Sequence, residues 1–251
     1  MVDHDPDQLA AQHESVLKFV ILGEAGVGKT SIIHRFLNDR FSTDSIQTSG
    51  VEFHRKRISF PGHIDVSLHV WDTGGNALAS PMLSSYLHEA HVLLFLYDIT
   101  NTASFSRLSE WFAIVRKAIC EPETPGTATA ASAYGGVLSD TASRKTKEPY
   151  MALIGNKSDM QHIRTIKSEK ANKLAQENGV AEISIVSAQS GDGVHALFRK
   201  ITATVLGLRL GRADFEQDIV AADVKREVKD GKPLAEKPPM NRTRSTVCLI
   251  N

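Results

Sequence analysis

Gly23-Glu24-Ala25-Gly26-Val27-Gly28-Lys29-Thr30, or GEAGVGKT, is the stretch of sequence that decides the fold. It directly follows the apolar run Val16 to Leu22, which predicts a strand. Beyond it, helical spacing is found at Ile32, Ile33, Phe36 and Leu37. A glycine-rich loop between a strand and a helix directs backbone N–H groups toward one point. The stretch therefore predicts a phosphate-binding loop, with an ordinary glycine-rich turn as the alternative.

The side chains of this loop extend the prediction to a metal ion. Lys29 adds a positive charge beside the phosphates, and the hydroxyl of Thr30 suits Mg²⁺. We expect the phosphates of a nucleotide to be bound by Glu24, Ala25, Gly26, Val27, Gly28, Lys29, Thr30 and Ser31.

The composition narrows the class of protein. A chain of 251 residues accommodates one α/β domain with tails. Lysine plus arginine and aspartate plus glutamate number 29 each, so no basic field predicts nucleic-acid binding. The two cysteines, Cys120 and Cys248, form neither a disulfide framework nor a Cys-x-x-Cys zinc motif, which favours a reducing cytosolic compartment.

The ends of the sequence carry no predicted export or transmembrane signal. Residues 1–14 are expected to be a flexible extension, because they lack the basic and apolar regions of a signal peptide. Val2 excludes N-myristoylation. The longest wholly apolar run, Val92 to Tyr97, is far shorter than the roughly 20 residues that a membrane-spanning helix needs.

The remaining pattern alternates strands with helices. Beyond the first strand, extended segments are predicted at Val51–Ser59 and Ile64–Asp72, which form a hairpin, and at His91–Asp98, Tyr150–Gly155 and Ile183–Val186. A helix is predicted through Phe105, Leu108, Phe112, Val115 and Ile119, with Thr102 or Ser104 as its N-cap. Further helices are predicted from Ser168 to before Gly179 and through Val194, Leu197, Phe198, Ile201 and Val205. Such alternation predicts an α/β fold, with a largely parallel sheet flanked by helices.

Two segments interrupt this pattern. Residues 121–149 are rich in Pro, Gly, Ser, Thr and Ala and are predicted to be a disordered insertion, either a tolerated surface loop or a loop that binds a partner. Residues 211–251 are predicted to be a flexible tail.

Two further motifs follow predicted strands. Asp72-Thr73-Gly74-Gly75 places an acid where it can reach Mg²⁺ through water, and Gly75 can offer its N–H to a terminal phosphate. Asn156-Lys157-Ser158-Asp159 lies at the end of another strand, where Asp159 can accept hydrogen bonds from the ring N–H and the exocyclic amine of guanine. Taken singly, the first could be a turn and the second a helix-capping loop.

Taken in order, the motifs resemble those of the Ras-like small GTPases. They are GEAGVGKT, Thr48 within QTSGVEF, WDTGGN, NKSD and Ser187-Ala188-Gln189, and the resemblance covers Val16 to Leu210. Thr48 to Phe53 and Tyr97 to Thr100 are similar to Rab sequences. The Gly-Gly pair after Thr73, the run Asp159 to Lys167 and the single C-terminal cysteine are similar to a divergent Rab subgroup, the one numbered twenty-eight.

The resemblance implies a fold, ligands and partners. It implies a Ras-like P-loop GTPase domain at residues 15–210, with a mostly parallel six-stranded sheet flanked by helices on both faces. It implies GTP or GDP as the nucleotide, with Mg²⁺ held by Thr30, Thr48 and Asp72. It also implies a monomer whose switch loops contact an exchange factor, a GTPase-activating protein and effectors.

The resemblance also assigns roles to single residues. The guanine pocket is implied to contain Phe41 at its edge, Asn156, Lys157, Asp159, Ser187, Ala188 and Gln189. Phe41 is alternatively a core residue. The residues implied to act in hydrolysis are Lys29, Thr48, Gly75 and Asn76.

Three departures from the family pattern bear on turnover and on the guanine pocket. Asn76 stands where the family usually has a glutamine that orients water, and it is one methylene shorter. Ala25 can crowd an incoming arginine finger, and Gln189 replaces a usual lysine. We expect slow hydrolysis aided by an activating protein. The alternatives are a scaffold that holds GTP permanently and a P-loop phosphotransferase, although no lid for a second substrate is recognisable.

The sequence ends Cys248-Leu249-Ile250-Asn251, which predicts prenylation of Cys248, by farnesyl or geranylgeranyl. One lipid chain anchors weakly, and the nearby Lys237, Arg242 and Arg244 would add attraction to an anionic membrane. We therefore expect reversible membrane attachment, aided by a prenyl-binding chaperone. Family analogy implies the cytosol and the cytoplasmic face of endomembranes, on endosomal or ciliary routes.

Overall fold

A computed structural model describes residues 15–43, 47–60, 64–120 and 148–209. In these ranges the strands are β1 (Ser15–Leu22), β2 (Val51–Ser59), β3 (Asp65–Thr73), β4 (Val92–Asp98), β5 (Tyr150–Asn156) and β6 (Glu182–Ile185). The α-helices are α1 (Lys29–Asn38), α2 (Leu83–Leu87), α3 (Thr102–Ser106), α4 (Leu108–Cys120), α5 (Ser168–Glu177) and α6 (Val194–Leu206). Two short 3₁₀ helices occupy Ala77–Ala79 and Ser158–Ile163.

The strands form one sheet in the order β2-β3-β1-β4-β5-β6. Within it β2 pairs antiparallel to β3, and the other pairings are parallel. The prediction of a mostly parallel six-stranded sheet is therefore confirmed. The carboxyl ends of β1, β3, β4, β5 and β6 lie at one edge, where α/β sheets bind their ligands.

Successive side chains of β1 point to opposite faces of the sheet, and both faces are covered by helices. Phe19 and Ile21 point into a cluster with α1 and α6, in which Phe36 and Phe198 stack at 3.9 Å between ring centroids. Val20 and Leu22 point to the other face, where Trp111 belongs to the buried cluster. Both faces of the central strand are buried, which is why its sequence is a nearly continuous apolar run.

The helix predicted through Phe105 to Ile119 is wrong in two respects. It is broken at Arg107 into α3 and α4, and its N-cap is Asn101 instead of Thr102 or Ser104. The side-chain oxygen of Asn101 accepts hydrogen bonds from the N–H groups of Ala103 and Ser104. The hydroxyl of Ser104 is unavailable as a cap because it is buried and accepts a hydrogen bond from the N–H of Asp98 at 3.1 Å.

Other predictions differ by a residue or lie outside the described ranges. The last strand is Glu182–Ile185, one residue earlier than Ile183–Val186. The helix from Ser168 ends at Glu177, and Gly179 follows it with a positive φ of 63°, as predicted. The predicted extension 1–14 and tail 211–251 lie outside the described residues, as do residues 121–147 of the predicted insertion. Among the described helices, none has the length and apolar character needed to span a bilayer.

Candidate nucleotide-binding site

A cavity of about 510 Å³ lies at the carboxyl edge of the sheet. It brings together most of the residues predicted for the site, although they come from separated parts of the sequence. Those that line it are Ala25, Gly26, Gly28, Lys29, Thr30, Ser31, Phe41, Thr48, Gly75, Asn156, Lys157, Asp159, Ala188 and Gln189.

The other predicted residues lie behind or beside the cavity. Val27 is a buried core residue, and Asp72 is fully buried. Ser187 is buried and contacts Asp159. Asn76 precedes the short 3₁₀ helix Ala77–Ala79 and is exposed to solvent.

Glu24 directs its side chain away from the cavity. One carboxylate oxygen accepts a hydrogen bond from the indole N–H of Trp111 at 3.0 Å and lies 3.4 Å from Nε of Arg107. Its backbone carbonyl stays in the loop and accepts a hydrogen bond from Lys29. The loop is therefore joined to α4 through this side chain, a contact that the motif alone does not predict.

The phosphate-binding loop curves around the Lys29 ammonium. Nζ of Lys29 donates hydrogen bonds to the carbonyls of Gly23 at 2.7 Å and Glu24 at 2.9 Å. Burial lowers the pKa of Lys29 to about 8, against the attraction of Asp72 and Glu24. Burial of the charged ammonium costs free energy, and an anion bound next to it would offset that cost.

Gly28 begins α1 in a conformation with φ of 92°. A Cβ atom there would lie 2.3 Å from the side-chain nitrogen of Asn156. Both the positive φ and the close contact therefore require glycine at this position.

Three hard oxygen donors meet beside the loop. The hydroxyl oxygens of Thr30 and Thr48 lie 2.9 Å apart, and Thr30 donates to Oδ2 of Asp72 at 2.5 Å. Burial raises the pKa of Asp72, while the hydrogen bond from Thr30 and the charge of Lys29 oppose that rise. Hydroxyl and carboxylate oxygens are the ligands that Mg²⁺ prefers, so the donor set fits this ion.

The loop after β3 packs closely against two other loops. The N–H of Gly74 donates to the carbonyl of Gly50 at 2.8 Å, and a Cβ on Gly74 would lie 2.6 Å from the carbonyl oxygen of Thr48. A Cβ on Gly75 would lie 2.5 Å from the backbone nitrogen of Ala25. The segments predicted to respond to the terminal phosphate are therefore in direct contact.

At the other end of the cavity, Asn156 joins two loops. Its Nδ2 donates to the carbonyl of Val27 at 2.8 Å, and its Oδ1 accepts from the N–H of Ala188 at 3.1 Å. Asp159 accepts a hydrogen bond from the hydroxyl of Ser187 at 2.5 Å. One of its oxygens is thus held in place on the lining of the cavity.

Lys157 adopts a left-handed backbone conformation, and its ammonium forms an ion pair with Oδ2 of Asp98 at 2.7 Å. Burial alone would raise the pKa of Asp98, but hydrogen bonds from Lys157 and Thr100 hold it below its usual range. This pair fixes the chain between the end of β5 and Asp159.

Arg35 is a contributor that the sequence analysis missed. Its guanidinium donates to the carbonyls of Ala188 at 2.9 Å, Gln189 at 2.5 Å and Asp39 at 2.8 Å. It therefore ties α1 to the backbone of the loop Ser187–Gln189. No motif marks this role, because the two carbonyl groups that it contacts in the base loop, those of Ala188 and Gln189, are more than 150 residues away in the sequence.

These features define a Ras-like P-loop domain, and comparisons with known proteins agree. The model of the Ras family matches residues 18–125 and 132–207. The Ras-related protein Rab-28 of Caenorhabditis elegans is 34% identical over 218 residues, covering 87% of this chain and 76% of the relative. The Ras-related protein Rab-4 of Dictyostelium discoideum is 29% identical over 191 residues, covering 76% of this chain and 80% of that relative. The chain therefore belongs to the Ras family and, within it, to the Rab small GTPases. Its similarity to the Rab-28 relative agrees with the subgroup that the motifs indicated.

Replacing Arg35 tests its support of the base loop. We expect Arg35→Met to accelerate release of a fluorescent GDP at least about tenfold, because it removes two charge-assisted hydrogen bonds to the base loop and even one costs roughly 1.5 kcal/mol. The measurement is stopped-flow release in excess unlabelled GDP. The matched control is Arg116→Met, since Arg116 is exposed on α4 and contacts the carbonyl of Asn178. Equal release rates in the two variants would contradict the role of Arg35.

Proposed function

We propose that this chain is a guanine-nucleotide-dependent switch that binds GTP or GDP with Mg²⁺, hydrolyses GTP slowly and recruits effectors in vesicle or endosomal traffic. The observation that carries the proposal is the convergence of separated motifs on one cavity. Residues of the phosphate loop, Thr48, Gly75, Asp159 and Ala188 all line it. Membership of the Rab small GTPases supports a role in membrane traffic.

The phosphates would lie against the phosphate loop and Lys29. The ammonium of Lys29, already held over the loop by two carbonyls, would contact the outer phosphates. Thr30 and Thr48 would hold Mg²⁺, with Asp72 behind them. When bound, the ion neutralises charge on the β- and γ-phosphates.

The base would lie between Phe41 and the loops at the far end of the cavity. Phe41 is 38% exposed and lines the cavity, which supports a place at the edge of a bound purine over one in the core. The carboxylate of Asp159 would accept hydrogen bonds from the ring N–H and the amine of guanine. The backbone at Ser187 and Ala188 would supply the remaining proposed contact, with the guanine carbonyl, in which the N–H of Ala188 would be shared with Oδ1 of Asn156.

Changing Asp159 tests the choice of base. We expect Asp159→Asn to weaken GTP binding about 10²- to 10⁴-fold and to favour xanthosine nucleotides, because two charge-assisted hydrogen bonds at about 1.5–3 kcal/mol each are lost. Competition binding with GTP, xanthosine triphosphate and ATP measures the change. A matched control is Asp192→Asn, which alters an exposed acid of the neighbouring turn. GTP affinity unchanged in Asp159→Asn would refute the assignment.

The switch itself would be the pair of loops around Thr48 and Gly75. A γ-phosphate would contact both, and its loss on hydrolysis would release both. Their contacts with each other and with Ala25 support a coupled movement of the two loops. The same conformational change would therefore be recognised by the exchange factor, the GTPase-activating protein and the effectors.

Slow hydrolysis is proposed from Asn76 and Ala25. Asn76 is exposed next to Gly75, and its side chain makes no capping hydrogen bond to the 3₁₀ helix Ala77–Ala79. Phosphoryl transfer depends mainly on positioning and electrostatics, so a shorter amide positions water less well. The second candidate is a scaffold that holds GTP, which the exposure of Asn76 also allows.

Lengthening Asn76 tests the cause of slow turnover. We expect Asn76→Gln to hydrolyse GTP faster, by up to about 10²-fold, because a displacement of roughly 1 Å in a positioning group costs about that much. Single-turnover hydrolysis with and without cell extract measures it. Asn38→Gln, the same change at an exposed residue near the end of α1, is the control. A rate no faster than that of the parent would contradict the explanation, and retention of GTP by the parent even in extract would favour the scaffold.

Membrane attachment is proposed through prenylated Cys248, with Lys237, Arg242 and Arg244 adding attraction to an anionic leaflet. A prenyl-binding chaperone would carry the lipid between membranes. The cytoplasmic face of endomembranes, endosomal or ciliary, is the proposed location. These residues lie outside the described ranges, so the proposal depends on the sequence and the family.

Intact-mass spectrometry of the protein isolated from its own cells tests this attachment. We expect one prenyl group on Cys248, and we expect Cys248→Ser to leave the membrane fraction. Loss of one buried lipid chain removes most of the membrane affinity, since each buried CH₂ contributes about 0.8 kcal/mol. Cys120→Ser is the control, because Cys120 is an exposed cysteine at the end of α4. An unmodified Cys248 would end the proposal.

A further inference from the structure

The hairpin of β2 and β3 carries a second cluster of possible metal ligands beside the phosphate site. Glu52 on β2 is directly opposite Asp72 on β3, and His54 is opposite Val70. Alternate residues of a strand share a face, so Glu52, His54 and Asp72 all lie on one face of the hairpin. A carboxylate oxygen of each acid and a ring nitrogen of His54 lie within 4.8 Å of one another.

Two atoms of this cluster are buried and unsatisfied. Asp72 is 0% exposed, and its Oδ2 accepts the hydrogen bond from Thr30. Its Oδ1 has no hydrogen-bond partner among the described residues, and neither has Nε2 of His54. The distance of 3.8 Å from Nε2 to Oε2 of Glu52 is too long for a hydrogen bond. Buried polar atoms seldom lack a hydrogen-bond partner. The two unsatisfied atoms therefore point to a ligand that both could bind.

We propose that Glu52, His54 and Asp72 bind one divalent transition-metal ion, such as Zn²⁺, at a site distinct from the Mg²⁺ site. Imidazole nitrogen suits zinc, copper, iron and nickel, whereas magnesium selects oxygen ligands. An imidazole and two carboxylates give zinc three protein ligands and leave a fourth position for water. This proposal goes beyond the proposed function and does not depend on it.

The geometry accommodates such an ion with a small adjustment. Zinc bonds of about 2.0–2.2 Å need ligand atoms closer together than 4.8 Å. Asp72 is fixed by burial and His54 is packed edge-on against His34, at 6.1 Å between ring centroids. The side chain of Glu52 is 53% exposed and can close the gap by a change of rotamer. The two oxygens of Asp72 would then serve two neighbouring sites, as carboxylates do in two-metal centres.

The spacing of these residues in the sequence does not predict this site. His54 is two residues from Glu52, but Asp72 reaches the cluster through the register of the hairpin. The cysteine-based zinc motifs that a sequence reveals are not involved.

The test uses the full-length chain loaded with fluorescent GDP in saturating Mg²⁺. Zn²⁺ affinity is measured by calorimetry, and Co²⁺ serves as a probe whose visible absorption reports tetrahedral coordination. We expect His54→Phe and Glu52→Gln each to weaken Zn²⁺ binding at least about tenfold, since even supporting groups around a metal contribute about 10- to 100-fold. His69→Phe is the matched control, because His69 pairs with Arg55 on the opposite face of the same hairpin.

Zn²⁺ affinity that is the same in His54→Phe and in the parent overturns the proposal. Displacement of Mg²⁺ and release of GDP in step with Co²⁺ binding also overturns it, because the ion would then occupy the Mg²⁺ site. If the chain failed to load GDP at all, the proposed function would fail. The calorimetric comparison of the variants would still decide the zinc site.

Discussion

The side-chain amide of Asn156 is the contact on which the candidate site depends. It is 1% exposed at the end of β5, and it binds the carbonyl of Val27 and the N–H of Ala188 at the same time. One side chain thereby fixes the distance between the phosphate loop and the base loop. Gly28 can approach this amide only because it has no Cβ. The relative position of the two loops that line the cavity therefore depends on this buried group.

Burial works against the charged forms of two neighbouring groups in the site. Burial lowers the pKa of Lys29 to about 8 and raises the pKa of Asp72, so desolvation disfavours the charged form of each. Their mutual attraction and the hydrogen bond from Thr30 offset only part of that cost. An anion at Lys29 and a divalent cation at Thr30 and Thr48 would supply the missing opposite charges together. This charge arrangement is consistent with the proposed binding of a polyphosphate together with Mg²⁺.

The sequence predicted the features that depend on local pattern. The central strands are buried on both faces, so their apolar runs identified them. The glycine spacing predicted a tight loop after β1, and Gly23, Gly26 and Gly28 have the positive φ angles of such a loop. The features that the sequence did not predict depend on contacts with groups elsewhere in the fold. Ser104 looked like a helix cap, yet its hydroxyl is committed to the N–H of Asp98, and Asn101 caps instead. The roles of Arg35 and of the Glu24 contact with Trp111 exist only after the sheet has brought distant segments together.

The two departures from the family pattern that concern turnover act on one piece of backbone. Gly75 packs so closely on Ala25 that a Cβ on Gly75 would lie 2.6 Å from the methyl carbon of Ala25. Gly74 is at the same time hydrogen bonded to Gly50. The backbone just before Asn76 is therefore held by two contacts, that of Gly75 with Ala25 and that of Gly74 with Gly50. If hydrolysis depends on the position of the Asn76 amide, as proposed, the methyl group of Ala25 and the shorter side chain of Asn76 would both act through this piece of backbone. Their effects on hydrolysis should consequently be coupled instead of additive.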